Sequence, residues 1–160
     1  MVLIMDFAHK IYLSRAENEL NLSIIVQRIS DDKQMQIEVF KMKEDTYYSA
    51  TITHAYYSIF YAAKAYLLKK GIKTSPPEEH KKTFDEFSNL AEQGVIDKEL
   101  IKIYENELIK ADSLLEIFKQ EKTKRGVFTY KKLPQANKEP ATQSVKNAET
   151  FYKHIYNLCQ

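Results

Sequence analysis

A basic segment between positions 119 and 138 carries the side chains best suited to chemistry with phosphates. It holds seven basic residues and one acidic residue, a net charge of +6 in a chain whose total is +2. Cations neutralise phosphates and aromatic rings stack on nucleobases, and the rings of Phe128 and Tyr130 lie among these cations. We therefore predict a nucleotide- or RNA-binding site here, with a plain solvated surface as the alternative. The predicted binding residues are Lys124, Arg125, Tyr130 and Lys131.

His54 is the second candidate, because it lies in a stretch of 18 residues, 46–63, that contains no formally charged side chain. A buried imidazole needs partners for its nitrogens, and neighbouring tyrosine or threonine hydroxyls are suitable. The pattern favours a satisfied core or interface histidine, and a general base or a nucleotide contact is the alternative. Glu79 and His80, by contrast, are interpreted as solvated residues in the first turn of a helix.

Other site chemistry finds no support in the sequence. There is no Gly-rich phosphate loop, no HExxH or GxSxG motif, and no pair of cysteines or histidines at ligand spacing, so we predict neither a metal nor a cofactor. The single cysteine, Cys159, excludes an intrachain disulfide. The uncharged stretch is too rich in Tyr, Ser and Thr to suit a membrane span, which leads us to expect a cytoplasmic protein without membrane contact.

The elements that position these residues are predicted to be helices. Only 3 Gly and 4 Pro interrupt 160 residues, and 44% hydrophobic with 29% charged residues is typical of a globular chain. We expect one domain over residues 1–160, an all-α bundle of about five helices. The central helix runs from about Thr46 to Leu68 and is enclosed by its neighbours, because apolar or aromatic residues cover nearly its whole circumference.

The remaining helices are bounded by recognisable signals. Apolar spacing predicts a helix from His9 to about Ile29 and a short one over 34–43. Asp31-Asp32 either interrupts the helical pattern or caps the second of these helices. Ser75-Pro76-Pro77-Glu78 has the form of a capping box, with Ser75 at the N-cap and Pro76 at the first position of the next helix. Asp97 is predicted to cap the helix after that, and Pro140 to lie early in the last one. On the central helix, Tyr56 and Tyr57 are predicted to contribute to a dimer interface.

The central helix also resembles a known family. The string from His54 to Leu68, followed by Lys69-Lys70-Gly71-Ile72, is similar to the central helix of prokaryotic HEPN-domain proteins. The similarity continues through Glu79-His80-Lys81, Arg125 to Tyr130 and Leu133 to Asn137, and covers roughly residues 10–157. The resemblance implies an up-and-down helical bundle that forms a homodimer, and often a minimal nucleotidyltransferase partner in a toxin–antitoxin pair.

Some HEPN proteins are metal-independent ribonucleases that carry a characteristic pair of catalytic residues. Those enzymes place an Arg and a His, four to six positions apart, in a cleft between two subunits. Arg125 matches the arginine, but Tyr130 stands five positions later and no histidine lies between 81 and 153. Tyrosine titrates near pH 10 and is a poor base at neutrality.

Three hypotheses follow from that departure. The first is a non-catalytic HEPN module that binds nucleotide, RNA or a nucleotidyltransferase. The second is a ribonuclease that uses Arg125, Tyr130 and His54. The third is a helical interaction domain whose basic segment is only surface.

Overall fold

Six helices make up the described part of the chain, which is residues 2–115 and 137–160 of a computed structural model. They are α1 (Val2–Asp31), α2 (Lys33–Glu38), α3 (Tyr48–Lys69), α4 (Glu79–Glu92), α5 (Lys98–Leu115) and α6 (Lys138–Leu158). No strand occurs within these residues. The predicted all-α bundle is confirmed, and the short α2 accounts for the difference from the expected five main helices.

Helix α3 is the centre of the bundle and packs against α1, α4, α5 and α6. Thirteen of its 22 residues are buried, which is the result expected of a helix without charge on most of its length. Its start is set by tertiary contacts: the backbone N–H of Tyr47 donates to the Ser30 hydroxyl at 2.7 Å. At the other end Gly71 adopts φ +80°, the left-handed conformation that ends helices.

A buried glutamine fixes the connection that leads into α3. Gln36 on α2 has no exposed surface, and its amide nitrogen donates to the carbonyl oxygens of Ile29 and Asp45 at 2.7 and 3.0 Å. Its amide oxygen accepts from the backbone N–H of Asp45 at 2.8 Å. The side chain thus joins the end of α1 to the non-helical segment 39–47 that precedes α3.

Two predicted boundaries are wrong for identifiable reasons. Helix α4 begins at Glu79 rather than at Pro76, because Pro76 precedes Pro77 and the residue before a proline is disfavoured in the helical region. Helix α2 ends at Glu38 rather than at position 43, and Lys41 adopts a left-handed φ of 55° that a helix cannot contain.

Two other boundary predictions are confirmed. Oδ1 of Asp32 accepts the N–H of Met35 at the start of α2, and Oδ1 of Asp97 accepts the N–H of Glu99 at the start of α5, both at 2.9 Å. Each carboxylate satisfies a backbone donor that the first helical turn leaves without a partner.

Candidate functional site

The first turn of α4 brings an imidazole against the middle of α3. Nδ1 of His80 lies 2.8 Å from the hydroxyl oxygen of Tyr56, and its ring stacks on Phe60 with 4.1 Å between the ring centroids. Burial lowers the pKa of His80; Glu79 opposes this shift and Lys64 adds to it. Since the ordinary value is near 6.5, His80 is neutral at pH 7. The interpretation of His80 as a solvated first-turn residue is therefore wrong.

The neighbouring Glu79 forms an ion pair with a buried lysine. Lys64 is 5% exposed, and its ammonium group contacts the Glu79 carboxylate and donates to the carbonyl oxygen of Thr74 at 3.2 Å. The same ammonium lies 4.8 Å from the ring centroid of Tyr12 and 5.7 Å from that of Phe60. The uncharged part of α3 thus ends in a cation whose charge is compensated inside the protein.

Helix α1 supplies the outer edge of this region. The guanidinium of Arg15 lies 4.4 Å above the ring centroid of Tyr61, and that ring stacks on Tyr12 at 6.0 Å. Burial raises the pKa of Tyr61, and the nearby Arg15 opposes the shift. Further along α1, the Glu19 carboxylate lies 2.6 Å from Nδ1 of His54. Carboxylate, guanidinium and aromatic groups of α1 therefore contact one side of α3.

Together these residues form a polar-aromatic face at the junction of α1, α3 and α4. It consists of Tyr12, Arg15, Tyr57, Tyr61, Lys64, Glu79 and His80. Lys64, Glu79 and Nδ1 of His80 have partners inside the protein. Arg15 is exposed, and Tyr57 and Tyr61 are half-buried, so the face offers a cation beside aromatic rings. The geometry is that of a network that joins three helices, with a potential anion contact at Arg15.

Comparison with known families identifies the chain. The model of the HEPN domain matches residues 37–158. The chain belongs to the HEPN family. Comparison with curated proteins and with solved structures gave no match. The match covers α3 to α6 and the whole of the 119–138 segment, whereas α1 lies outside it.

The residues of α3 that were predicted to be functional lie in different surroundings in this HEPN domain. The partner of His54 is the Glu19 carboxylate, not a tyrosine or threonine hydroxyl. Tyr56 has no exposed surface and packs inside the protomer, so its ring cannot contribute to a dimer interface as predicted. Tyr57 is half-buried on the polar-aromatic face, and its place in an interface stays a prediction. His54 and Tyr56 lie two positions apart, which puts them on opposite sides of a helix.

The four predicted binding residues lie outside the described part of this HEPN domain; they are Lys124, Arg125, Tyr130 and Lys131. Helix α6, which follows them in the sequence, contacts the end of α1. Lys138 Nζ lies 3.5 Å from an Asp31 carboxylate oxygen, and the Gln27 amide donates to the Thr142 hydroxyl at 2.5 Å. The start of α6 therefore lies beside the carboxyl end of α1.

None of the helices over 2–115 and 137–160 is long and apolar enough to cross a membrane. Within the same residues, no group of three or more His, Cys, Asp or Glu side chains is arranged to hold a metal ion. Sequence reasoning missed the Lys64–Glu79 and Tyr56–His80 contacts. The one available signal was Lys64 itself, a lone cation directly after 18 uncharged residues.

Proposed function

We propose that this HEPN domain is a non-catalytic, homodimeric module that binds RNA or nucleotides through their phosphates. The observation that carries the proposal is the net charge of +6 on residues 119–138, in a chain whose other residues are acidic on balance. Such a concentration of cations is the electrostatic signature of phosphate binding. Membership of the HEPN family supports it, because the matched region includes Arg125.

Each predicted residue has a distinct role in this proposal. Arg125 presents two N–H donors in a fixed fork that matches two phosphate oxygens. Lys124 and Lys131 act as point charges that neutralise neighbouring phosphates. The Tyr130 ring stacks on a base without reading its sequence. Binding should therefore depend strongly on salt and weakly on nucleotide sequence.

The sequence around Arg125 argues against catalysis. Tyr130 stands where a histidine base would be expected, and no histidine lies between 81 and 153. Tyrosine retains its proton at pH 7 and cannot deprotonate a ribose hydroxyl efficiently. Nδ1 of His80 is engaged by Tyr56, which leaves only its Nε2 for any reaction.

A degenerate ribonuclease is the second candidate, and one observation favours it. Glu19 Oε2 lies 2.6 Å from Nδ1 of His54, and a carboxylate that orients an imidazole is a frequent arrangement for a general base. In that function Arg125 stabilises phosphate charge, and His54 with Tyr130 transfers the protons. A minimal nucleotidyltransferase, in a toxin–antitoxin pair, is the protein partner that fits either function.

The binding function is tested by titrating a labelled single-stranded RNA and following its fluorescence anisotropy. We expect Arg125→Ala to weaken binding roughly tenfold or more, since it removes a charge-assisted contact. The slope of log affinity against log salt should also fall by about one. Lys146→Ala is the matched control, because it removes one exposed cation of α6 outside the segment. Unchanged binding by Arg125→Ala contradicts the proposal.

Catalysis is tested separately by incubating the wild-type protein with RNA in EDTA. The non-catalytic proposal expects no 2′,3′-cyclic phosphate ends at micromolar protein. If such ends form and His54→Gln abolishes them while RNA binding persists, the ribonuclease candidate replaces it.

A further inference from the structure

Helix α1 is apolar on two opposite sides, and only one of them packs against the bundle. The inner side carries Leu13, Ala16 and Leu20, which are buried. The opposite side carries Phe7, Ile11, Leu22 and Ile25, which are 69, 50, 41 and 51% exposed. Apolar side chains this large and this exposed along one line of a helix are a feature of interaction surfaces. We call this line the outer seam; its members are Phe7, Ile11, Ser14, Asn18, Leu22, Ile25 and Ile29.

The spacing of the outer seam is that of a helix that pairs with another helix. Successive members are three or four residues apart from Phe7 to Ile29, the spacing that keeps side chains on one seam of a coiled coil. At 1.5 Å per residue the seam is about 33 Å long. Its central member, Asn18, is exposed and polar, and a single such residue fixes the register of helix pairs.

The seam is also symmetric in sequence about Asn18. Ile11 and Ile25 each lie seven residues from Asn18, and Phe7 and Ile29 each lie eleven residues from it. Ser14 and Leu22 each lie four residues away. When two copies of α1 run antiparallel with Asn18 opposite Asn18, every large apolar residue except Leu22 faces an apolar residue of the other copy. A two-fold interface requires this kind of self-complementarity.

We propose that the outer seam binds the outer seam of a second copy of this chain, in an antiparallel pair whose two-fold axis passes between the two Asn18 side chains. The inference deepens the homodimer part of the proposed function and names the surface involved. An asparagine amide is both donor and acceptor, so two of them can satisfy each other across the axis. The seam lies outside residues 37–158, which makes this surface a feature of the present chain rather than of the matched region.

Charge on one flank agrees with the antiparallel direction. Arg15 and Glu19 both lie on the α3 side of the seam, where they contact Tyr61 and His54. In the antiparallel pair, Arg15 of one copy lies about 3 Å along the axis from Glu19 of the other, and the pair occurs twice. In a parallel pair the α3 side of one seam would face the far flank of the other, so Arg15 and Glu19 would not meet. The far flank brings Lys10 beside Arg28, a solvent-exposed repulsion that salt screens.

Sedimentation of the full chain at micromolar concentration tests the surface. We expect wild type to be dimeric and Ile25→Lys to weaken dimerisation roughly 30-fold or more, because it places a charge against the apolar Ile11 of the other copy. Ile109→Lys is the matched control, since Ile109 on α5 is 64% exposed and away from the seam. A monomeric wild type overturns both the homodimer and the seam. A dimer that survives Ile25→Lys and Ile11→Lys overturns the seam alone.

Oxidative cross-linking tests the direction of the pair and does not require a destabilising charge. Asn18→Cys should form a covalent dimer, whereas wild type, whose Cys159 is buried, should not. A mixture of Ile11→Cys and Ile25→Cys proteins should cross-link, and Ile11→Cys alone should not. Cross-linking of Ile11→Cys alone contradicts the antiparallel arrangement. Arg125→Ala should leave all these results unchanged, so that failure of RNA binding and failure of the seam are distinguishable.

Discussion

The hydroxyl oxygen of Tyr56 lies 2.8 Å from Nδ1 of His80, and this contact ties the middle of α3 to the first turn of α4. Burial is the main cause that raises the pKa of Tyr56, with smaller contributions from Tyr104, Tyr57 and Asp112. The phenol therefore keeps its proton at neutral and mildly alkaline pH. It can donate to the imidazole when His80 is neutral and carries its proton on Nε2.

Removal of that hydroxyl should destabilise the protein. We expect Tyr56→Phe to lower the free energy of unfolding by about 1–2 kcal/mol, because Nδ1 of a half-buried His80 loses its donor. Urea denaturation provides the measurement. Tyr57→Phe is the control, since its hydroxyl makes no hydrogen bond within the described residues, and its effect should stay below about 0.5 kcal/mol. Equal losses in the two variants would show that the Tyr56 contact contributes nothing.

The lowered pKa of His80 predicts a loss of stability in mild acid. Between the lowered folded value and the ordinary value of 6.5, the unfolded chain binds more protons, so unfolding is favoured as the pH falls. The contribution is fully present above pH 6.5 and is lost below it. The urea midpoint of wild type should drop more between pH 7.5 and pH 5 than that of His80→Gln. His154→Gln, which changes an exposed histidine on α6, should follow wild type.

Substitutions at the two ends of the Lys64–Glu79 ion pair should destabilise the protein by unequal amounts. Glu79→Gln leaves the Lys64 ammonium, whose side chain is 6% exposed, without a countercharge and should cost about 3 kcal/mol. Lys64→Met should cost less, because the remaining Glu79 carboxylate is 27% exposed and water can solvate it. The methionine also keeps apolar contact with Tyr12 and Phe60. Thermal or urea unfolding of both variants checks the order, and a larger loss for Lys64→Met is incompatible with this account.

Substitution of Gln36 should destabilise the protein far more than substitution of the nearby Gln34. Gln36→Leu removes three hydrogen bonds to backbone groups and should lower the free energy of unfolding by about 2–4 kcal/mol. Gln34→Leu removes only an exposed contact with Glu38 and should change it by less than about 0.5 kcal/mol. Hydrogen exchange of the Asp45 amide offers a local measurement, since that N–H donates to Gln36. Slow exchange retained in Gln36→Leu would contradict the assigned bond.

Local sequence signals predicted the helices because each signal acts within a few residues. The lack of charge over 46–63 predicted burial of α3, and Asp97 predicted the start of α5; both are confirmed. The predicted capping box failed at Ser75 because a second proline changes the backbone preference of the first. Apolar spacing predicted α1 but could not separate buried Leu13 from exposed Ile11, since periodicity does not reveal what covers each side of a helix.

The candidate site was less accessible to sequence reasoning, because its contacts join distant segments. His80 meets Tyr56 from 24 positions away, and His54 meets Glu19 from 35 positions away. No short motif encodes either distance. The basic segment was visible because charge is a property of composition. The assignments to Lys124, Arg125, Tyr130 and Lys131 stay predictions, since these residues lie outside the described part of the chain.

The position of α1 bears on how short a fragment can fold independently. The family match begins at residue 37, yet α1 ends at Asp31 and packs along α3. The Ser58 hydroxyl on α3 donates to the Ala16 carbonyl oxygen of α1 at 2.7 Å, and both residues are buried. A fragment trimmed to residues 37–158 would expose that side of α3 to water. The autonomous folding unit of this protein therefore extends beyond the homologous core, and deletion studies should keep α1 in place.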